Sequence, residues 1–391
     1  MSTRPSVIRH RGRSRLRTVA LVAAVIVVAF ALLAAVGAVL EVTDAHTPAK
    51  PARVTSPRPL PTWERVMIGA SDLGGDAAGV VVLRNGSRVT ALDPSGHDLW
   101  STDVEGAGHS LQPPALDATR VAVAADARLV VLDRGDGHVR WSVEDGSDVE
   151  SVALAHRHGS DDLVLATTEA GELEGRAAAD GSLRWRIREP GTALARLALD
   201  GDGGAVVALW ENGFDPVLRV VDVGTGSVRW EHTLGIDTSP PVVMRDLVVV
   251  ATGDGNYHAS VSAFALGDGK LRTNVPAPAS FGPYLEPATD GDTVFVTDHF
   301  GRVAAVDPVA GVERWHADLR DAVLRTRVVV GPRFVVVTTY APVTVFLDRR
   351  TGEVVHRVEE AAGSAQPVGL PGQVVVARAN GDREGLQAYR V

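Results

Sequence analysis

One short motif recurs along most of the chain and usually ends in tryptophan. The run DVGTGSVRW, residues 222–230, has relatives whose last residues are Trp100, Trp141, Trp185, Trp230, Thr273, Trp315 and His356. Successive ends lie 41, 44, 45, 43, 42 and 41 residues apart. A period in the low forties without a helical pattern is typical of a propeller, in which each repeat forms one four-stranded antiparallel blade. The sequence therefore predicts an all-β propeller.

The residue types within the motif fit a hairpin between two strands. A β-rich run precedes each turn, and the turn needs glycine for a positive φ. The aspartates four residues before that glycine can accept hydrogen bonds from turn amides; they are Asp133, Asp222, Asp307 and Asp348. A tryptophan on the outer strand can wedge between neighbouring blades and donate its N–H. We expect this structural docking role for Trp63, Trp100, Trp141, Trp185, Trp230 and Trp315.

The two ends of residues 63–391 predict the number of blades. The stretch PTWERV carries Trp63 without a hairpin before it, and LQAYRV, residues 386–391, is an inner hairpin strand with nothing after it. Pairing the two would complete one blade shared between the ends. We therefore expect eight blades, seven of them continuous, and closure would remove the exposed sheet edges that template aggregation.

Residues 1–40 form a basic start followed by an apolar segment. They contain six arginines and no acidic residue, and residues 18–40 carry no charge. A helix of that length would span about 34 Å, enough to cross a bilayer core of about 30 Å. We expect a transmembrane helix at 18–40 with the basic tail 1–17 in the cytoplasm and the propeller outside. The alternative is a cleaved signal peptide, whose apolar run is typically shorter, about 7–15 residues.

The remaining chain is acidic and lacks cysteine. Residues 41–62 are rich in proline and small polar residues, which predicts a semi-extended linker. From residue 41 onward 33 basic side chains face 48 acidic ones, which disfavours binding to nucleic acid. The absence of cysteine excludes disulfides, thiolate metal sites and a cysteine nucleophile.

The repeated Asp-x-x-Thr-Gly-x-x-x-Trp pattern of residues 222–230 resembles the tryptophan-docking repeat of the pyrroloquinoline-quinone-type propellers. The resemblance covers about residues 63–391. That family includes quinoprotein dehydrogenases and non-enzymatic members such as an eight-bladed outer-membrane assembly lipoprotein. The dehydrogenases use a quinone, a calcium ion, a catalytic aspartate and usually adjacent cysteines. No motif here matches the calcium ligands or the catalytic aspartate, so the resemblance implies the non-enzymatic branch, without a cofactor.

Other catalytic and metal-binding signatures are weak. The sequence has no P-loop, nucleophile elbow, zinc-protease motif or dinucleotide fingerprint. The stretches at 200–204 and 253–256 lack the terminal acid and regular spacing of calcium loops and fit hairpin turns better. His156 and His158 could hold a metal, but no third ligand is evident nearby in sequence, which favours an exposed loop. We expect no metal site and no catalytic residue.

One sector of the ring is a candidate recognition surface. The loops between second and third strands are longer in blades four to six, and the connection at 277–287 is long. Aromatic, amide, acidic and histidine side chains converge there, and aromatic residues give large contact area at low entropy cost. The candidate binding residues are Trp210, Glu211, Asn212, Asp254, Asn256, Tyr257, His258, Asp298 and His299. In the alternative interpretation, Trp210 and Phe214 only plug a neighbouring loop while His258 and Asp298 cap turns.

These patterns favour a membrane-anchored, extracytoplasmic propeller that serves as an interaction platform for another protein of the cell envelope. An alternative function is a sensor or carrier of a small ligand, a quinone or a sugar, bound at the axial mouth of the ring. A quinone-dependent oxidoreductase is the least favoured alternative, because it rests on fold analogy alone.

Overall fold

The computed structural model describes residues 60–391, apart from 69, 77, 85–86, 108–112, 157–160, 189–192, 212–215, 236–237, 254–258, 278–284, 321–322, 324–327, 340–342, 360–366 and 379–383. The expected cytoplasmic tail, the apolar segment 18–40 and the linker up to residue 59 lie outside the described residues. No helix within the described part is long and apolar enough to cross a bilayer.

Eight four-stranded antiparallel sheets form the fold, which confirms the predicted eight-bladed propeller. In chain order the strands are β1 Trp63–Val66, β2 Ala70–Asp76, β3 Gly79–Arg84, β4 Arg88–Leu92, β5 Asp98–Asp103, β6 Ala115–Leu116, β7 Arg120–Ala125, β8 Arg128–Asp133, β9 Val139–Glu144, β10 Val149–Ala155, β11 Leu163–Thr168, β12 Glu172–Ala177, β13 Leu183–Arg188, β14 Ala193–Leu199, β15 Ala205–Glu211 and β16 Val217–Asp222. The others are β17 Val228–Thr233, β18 Val242–Met244, β19 Leu247–Gly253, β20 Ala259–Ala265, β21 Leu271–Pro276, β22 Ala288–Thr289, β23 Val294–Thr297, β24 Arg302–Asp307, β25 Val312–Asp318, β26 Val329–Val330, β27 Phe334–Thr338, β28 Val343–Asp348, β29 Val354–Glu359, β30 Val368–Leu370, β31 Gln373–Arg378 and β32 Gly385–Arg390.

Blade 1 comprises β2–β5, and each following group of four strands forms the next blade up to β26–β29 in blade 7. Blade 8 combines β30, β31 and β32 with β1. Because neighbouring strands are antiparallel, the turn between the third and fourth strands lies at one end of each blade. We call this end the hairpin face. The opposite end, which carries the turns between second and third strands and the connections between blades, is the loop face.

Strand β1 closes the ring, as the sequence predicts. Trp63 pairs with Ala388 and Val66 with Gly385 in an antiparallel register. The two backbones approach so closely that a Cβ on Gly385 would lie 2.0 Å from the carbonyl oxygen of Arg65. Only glycine fits this position. Because of this pairing, blade 8 has four strands, as the other blades do.

Each of the six repeat tryptophans docks its blade onto the next one. The indole Nε1 of Trp63, Trp100, Trp141, Trp185, Trp230 and Trp315 donates to the backbone carbonyl of Pro94, Arg134, Ala178, Val223, Leu266 and Arg349 respectively, at 2.7 to 3.0 Å. All six acceptors lie in or at the start of the next blade's hairpin. The ring then packs against the hairpin glycine: a Cβ on Gly226, whose φ is +71°, would lie 2.7 Å from the Trp185 ring. Glycine is therefore required both for the backbone conformation and for the close approach.

Two junctions between blades depart from this pattern. Between blades 5 and 6, Thr273 replaces tryptophan and donates its hydroxyl to the carbonyl of Pro308. Between blades 7 and 8, His356 occupies the docking position, and its ring packs edge-on against Phe334 and Phe346. Blade 8 has no hairpin there, because its third and fourth strands come from the two ends of the described chain. The Nδ1 atom of His356 is buried without a hydrogen-bond partner within the described residues.

The hairpin aspartates stabilise their turns as the sequence predicts. Asp222 Oδ1 accepts hydrogen bonds from the amides of Gly224 and Thr225, and its Oδ2 accepts one from Arg229 at 2.8 Å. The Arg229 bond is the largest cause of a lowered Asp222 pKa. Asp133 follows the same pattern with Arg140, which also lowers its pKa. These contacts fix the hairpin that receives the preceding tryptophan.

The packing account predicts the cost of deleting one docking ring. Trp141→Ala should destabilise the propeller by about 3–5 kcal/mol, because it leaves a cavity between blades 2 and 3 and an unpaired Ala178 carbonyl. Urea unfolding followed by the remaining tryptophan fluorescence measures this cost. The control is Leu183→Ala, whose side chain is exposed and should cost less than about 0.5 kcal/mol. A cost for Trp141→Ala as small as the control would contradict the interblade placement.

Candidate partner-binding face

The turn between β23 and β24 on the loop face of blade 6 is the best-defined part of the candidate surface. Asp298 starts this turn with a fully buried carboxylate. Its Oδ1 accepts hydrogen bonds from the amides of Phe300 and Arg302, both at 2.9 Å. The Asp-x-Phe-Gly-Arg sequence forms a tight turn here because Asp298 caps it and Gly301 adopts a φ of +87°.

The connection from blade 6 to blade 7 braces the same turn from the other side. The amide of Leu319 donates to the carbonyl of Gly301 at 2.8 Å, and the amide of Val323 donates to the carbonyl of His299 at 3.3 Å. Leu319 and Val323 are both buried. The turn is thus held by the Asp298 carboxylate on one side and by backbone hydrogen bonds from the connection on the other.

This braced turn presents two side chains to solvent. Phe300 is 53% exposed, and His299 is exposed beside it. The guanidinium of Arg302 lies over the Phe300 ring, 5.5 Å from its centre. An exposed aromatic ring that is already oriented loses little entropy when it meets a partner. Sequence reasoning selected His299 but missed Phe300, although the motif DHFG places an aromatic residue at the tip of a turn.

The structure corrects the expectation that Trp210 and Asp298 are surface contacts. Trp210 is 1% exposed, and its Nε1 donates to the carbonyl of Gly171 in blade 3 at 3.2 Å. The guanidinium of Arg219 lies over the Trp210 ring, 4.9 Å from its centre. Strand β15 continues through Glu211, so Trp210 pairs with Val217 instead of starting a loop. Asp298, as a buried turn cap, likewise has no carboxylate surface to offer a partner.

The other candidate residues have no described side chains. Glu211 pairs with Ala193 through its backbone, and its side chain lies outside the described part. Asn212, Asp254, Asn256, Tyr257 and His258 also lie outside the described residues. Their contribution to partner binding stays a prediction.

A metal site finds no support in the described part of the chain. Within it, no group of three or more histidine, aspartate or glutamate side chains is arranged to hold a metal ion. His156 does lie 3.3 Å from Asp162 and 3.5 Å from Asp117. Both carboxylates already bind the guanidinium of Arg120, which takes the place that a cation would need.

Sequence reasoning also missed a charged interface between blades 2 and 3. The third strand of blade 3 buries Glu172, Glu174 and Arg176, and Asp145, whose side chain is fully buried, reaches Arg176 from blade 2. The signal was the sequence ELEGRA at a position where other blades have apolar runs such as RVAAVD.

A family model described as outer membrane protein assembly factor BamB matches residues 53–270 and 257–384. The chain belongs to this family of PQQ-like repeat propellers. Its relatives include BamB of Shewanella oneidensis, 27% identical over 264 residues, and BamB of Moranella endobia, 24% identical over 314 residues. The aligned parts cover 63% and 70% of this chain, and 63% and 78% of those two proteins.

Further matches are found to part of a protein kinase and to two solved structures. The serine/threonine-protein kinase AfsK of Streptomyces griseus is 30% identical over 184 residues, which are 43% of this chain and 22% of the kinase. The crystal structure of BamB from Moraxella catarrhalis superposes with a TM-score of 0.66 at 16% identity, over 85% of this chain and 97% of that one. The computationally designed Ika8 protein gives a TM-score of 0.65 over 83% and 98%. Both superpositions show the fold alone.

The position of Trp210 predicts a packing defect when the ring is removed. Trp210→Ala should cost about 3–5 kcal/mol in urea unfolding, because the ring fills the junction between blades 3 and 4. If the variant instead unfolds like the native protein and loses a binding partner, Trp210 belongs to a recognition surface after all.

Proposed function

We propose that this protein is a non-enzymatic interaction platform of the cell envelope, in which a rigid propeller binds another envelope protein. The family match over most of the chain carries this proposal, since the matched family and the relatives are outer-membrane assembly factors. The closed ring adds a physical reason, because fixed blades can hold loops in one arrangement for a partner.

We further propose that residues 18–40 anchor the chain as a single transmembrane helix, with the propeller on the extracytoplasmic side. The six arginines before this segment and its length support that orientation. Residues 41–62 then act as the linker between membrane and propeller. Such tethering would confine the search for a partner to the membrane surface and raise its effective concentration.

Within the propeller, we propose the loop face around blade 6 as the contact surface. Phe300 and His299 are the exposed side chains that carry this part of the proposal, and the Asp298 cap keeps their turn in place. Other candidates would extend the surface toward blades 4 and 5; they are Asn212, Asp254, Asn256, Tyr257 and His258. An aromatic ring next to a cation is a composition that protein interfaces favour.

A small-ligand sensor or carrier is the second candidate function. One cavity supports it: about 530 Å³ lies on the hairpin face between blades 8 and 1, lined by Trp63, Ser95, Gln373 and Arg390 among others. An indole with hydroxyl, amide and guanidinium groups suits a polar organic ligand such as a sugar. This cavity lies at the junction of blades 8 and 1, whereas the alternative function considered from the sequence placed the ligand at the axial mouth of the ring.

A capture experiment separates the two candidates. The double variant His299→Ala/Phe300→Ala should reduce partner capture at least about tenfold in in-cell crosslinking of the full-length chain, because it removes the exposed contacts without touching the core. The control is Val309→Ala, which removes a side chain of similar exposure from the opposite face of the same blade.

Three results are informative in this experiment. A discrete partner that is lost in the double variant and retained in the control supports the platform and its face. Equal capture by all three proteins contradicts the blade 6 surface. If no partner is captured by any of them, the platform proposal fails and ligand screening at the blade 8 cavity follows.

A further inference from the structure

The junction of blades 2 and 3 is charged where the other third strands are mainly apolar. In β12 all six residues are buried, and three of them are Glu172, Glu174 and Arg176. The third strands of blades 2 and 6 have the sequences RLVVLD and RVAAVD. Burying ionised groups is costly unless they are paired, so the charged side chains of β12 need partners within this junction.

One guanidinium bridges two carboxyl groups at this junction. Arg176 Nη2 contacts Asp145 Oδ1 from blade 2 and Glu174 Oε2 from its own strand, the latter at 2.7 Å. Two groups bonded to the same nitrogen atom can be at most about 6 Å apart. The side chains of Asp145 and Glu174 are both fully buried, and that of Arg176 is 9% exposed. Two like charges are therefore held close together away from water.

The second oxygen of each carboxyl group is poorly satisfied. Asp145 Oδ2 is buried and receives no hydrogen bond from the described residues. Glu174 Oε1 is buried and forms an ion pair with Arg186, but it too receives no hydrogen bond from the described residues. A buried acceptor without a donor costs about 1–3 kcal/mol. A proton on the pair would remove the repulsion between the two carboxylates and leave one negative charge beside Arg176.

The two carboxylates of Asp145 and Glu174 outnumber the one arginine that contacts both of them. Arg186 on β13 is shared between Glu174 and Glu172, which lies 3.9 Å from it, and Arg188 on the same strand contacts Glu172 at 3.6 Å. From blade 2, the neighbouring Glu144 is exposed, and on β10 Glu150 buries one carboxylate oxygen. Arg176 is the one cation that touches both Asp145 and Glu174 among these groups. The pKa of Asp145 is raised to about 6, first by burial and then by the charge of Glu174, against the opposing effect of Arg176.

We propose that Asp145 and Glu174 share one proton under mildly acidic conditions and release it near neutral pH, and that this proton controls how firmly the exit loop of blade 2 is tied to blade 3. The exit loop, residues 145–148, follows directly from the outer strand of blade 2. This inference concerns regulation and does not depend on the identity of any partner.

The exit loop connects the proton to the loop face. The amide of Asp145 donates to the carbonyl of Ala127 in the blade 2 turn, and the amide of Glu169 in the blade 3 turn donates to the carbonyl of Asp148. Both bonds are 2.9 Å long. A change in the Asp145 contact with Arg176 therefore reaches the turns of two blades on the face that we propose for partner binding.

The direction of the pH effect follows from proton uptake. The ordinary pKa of aspartate is 3.8, and the folded protein raises it to about 6 for Asp145. Between these values the folded protein binds more protons than the unfolded chain. The stabilising effect of this proton is complete at low pH and is lost as pH rises through about 6.

The amide variant Asp145→Asn tests the shared proton, because asparagine can donate a hydrogen bond and carries no charge. From pH 5 to 7.5 the folding equilibrium constant of the native protein should fall about tenfold relative to that of Asp145→Asn. Urea unfolding of the full propeller at each pH measures it. Infrared difference spectra of the native protein should show a buried protonated carboxyl band that titrates near pH 6 and is absent in Asp145→Asn.

The control variant is Asp133→Asn, because the pKa of Asp133 is shifted in the opposite direction from that of Asp145. The Arg140 bond lowers the pKa of Asp133, so this change should leave the profile between pH 5 and 7.5 as in the native protein. Glu174→Gln provides a second test if Asp145→Asn does not fold. The proposal is overturned if the native protein shows no carboxyl band titrating between pH 5 and 7, or if the amide variants keep the native pH dependence.

Discussion

The contact between an indole ring and a hairpin glycine of the next blade is the interaction on which the rest of this structure depends. A single four-stranded sheet cannot bury both of its faces, so each blade needs a neighbour at a fixed distance and angle. The Trp185 indole provides both constraints at once, since its N–H is bonded to the Val223 carbonyl and its ring lies against Gly226. The repeated tryptophan thus fixes both the distance and the angle between each blade and the next one.

Closure of the ring turns these pairwise contacts into one rigid body. Strand β1 pairs with β32, so the first and last described strands share a blade. The junction of blades 7 and 8 has no tryptophan and no hairpin, and the packing of Phe334, Phe346, His356 and Tyr389 replaces them. Burial and the charge of Arg333 lower the pKa of His356, which favours the neutral ring inside this cluster. At the junction of blades 7 and 8, ring packing therefore replaces the contact between an indole and a hairpin glycine.

The fold was predictable from the sequence because its determinants are local and repeated. Glycine at a positive φ, a capping aspartate and a tryptophan at fixed spacing can each be recognised without knowing the neighbours. The candidate site was less predictable, because exposure depends on where a strand ends. Trp210 lies one residue before the end of β15 and is buried, whereas Phe300 lies in a turn and is exposed. The Asp145 and Glu174 pair joins the adjacent blades 2 and 3, and no spacing in the sequence reveals that contact.

A matched pair of glycine substitutions tests the docking account most directly. Gly226 and Gly372 both have a φ of about +71°, but a Cβ meets the Trp185 ring only at Gly226 and finds no atom within 4 Å at Gly372. Alanine should cost about 1–2 kcal/mol at either position from backbone strain. The account predicts that urea unfolding will show at least about 2 kcal/mol of additional loss for Gly226→Ala, from the displaced indole. Equal losses for the two variants would contradict the claim that the indole–glycine contact holds the blades together.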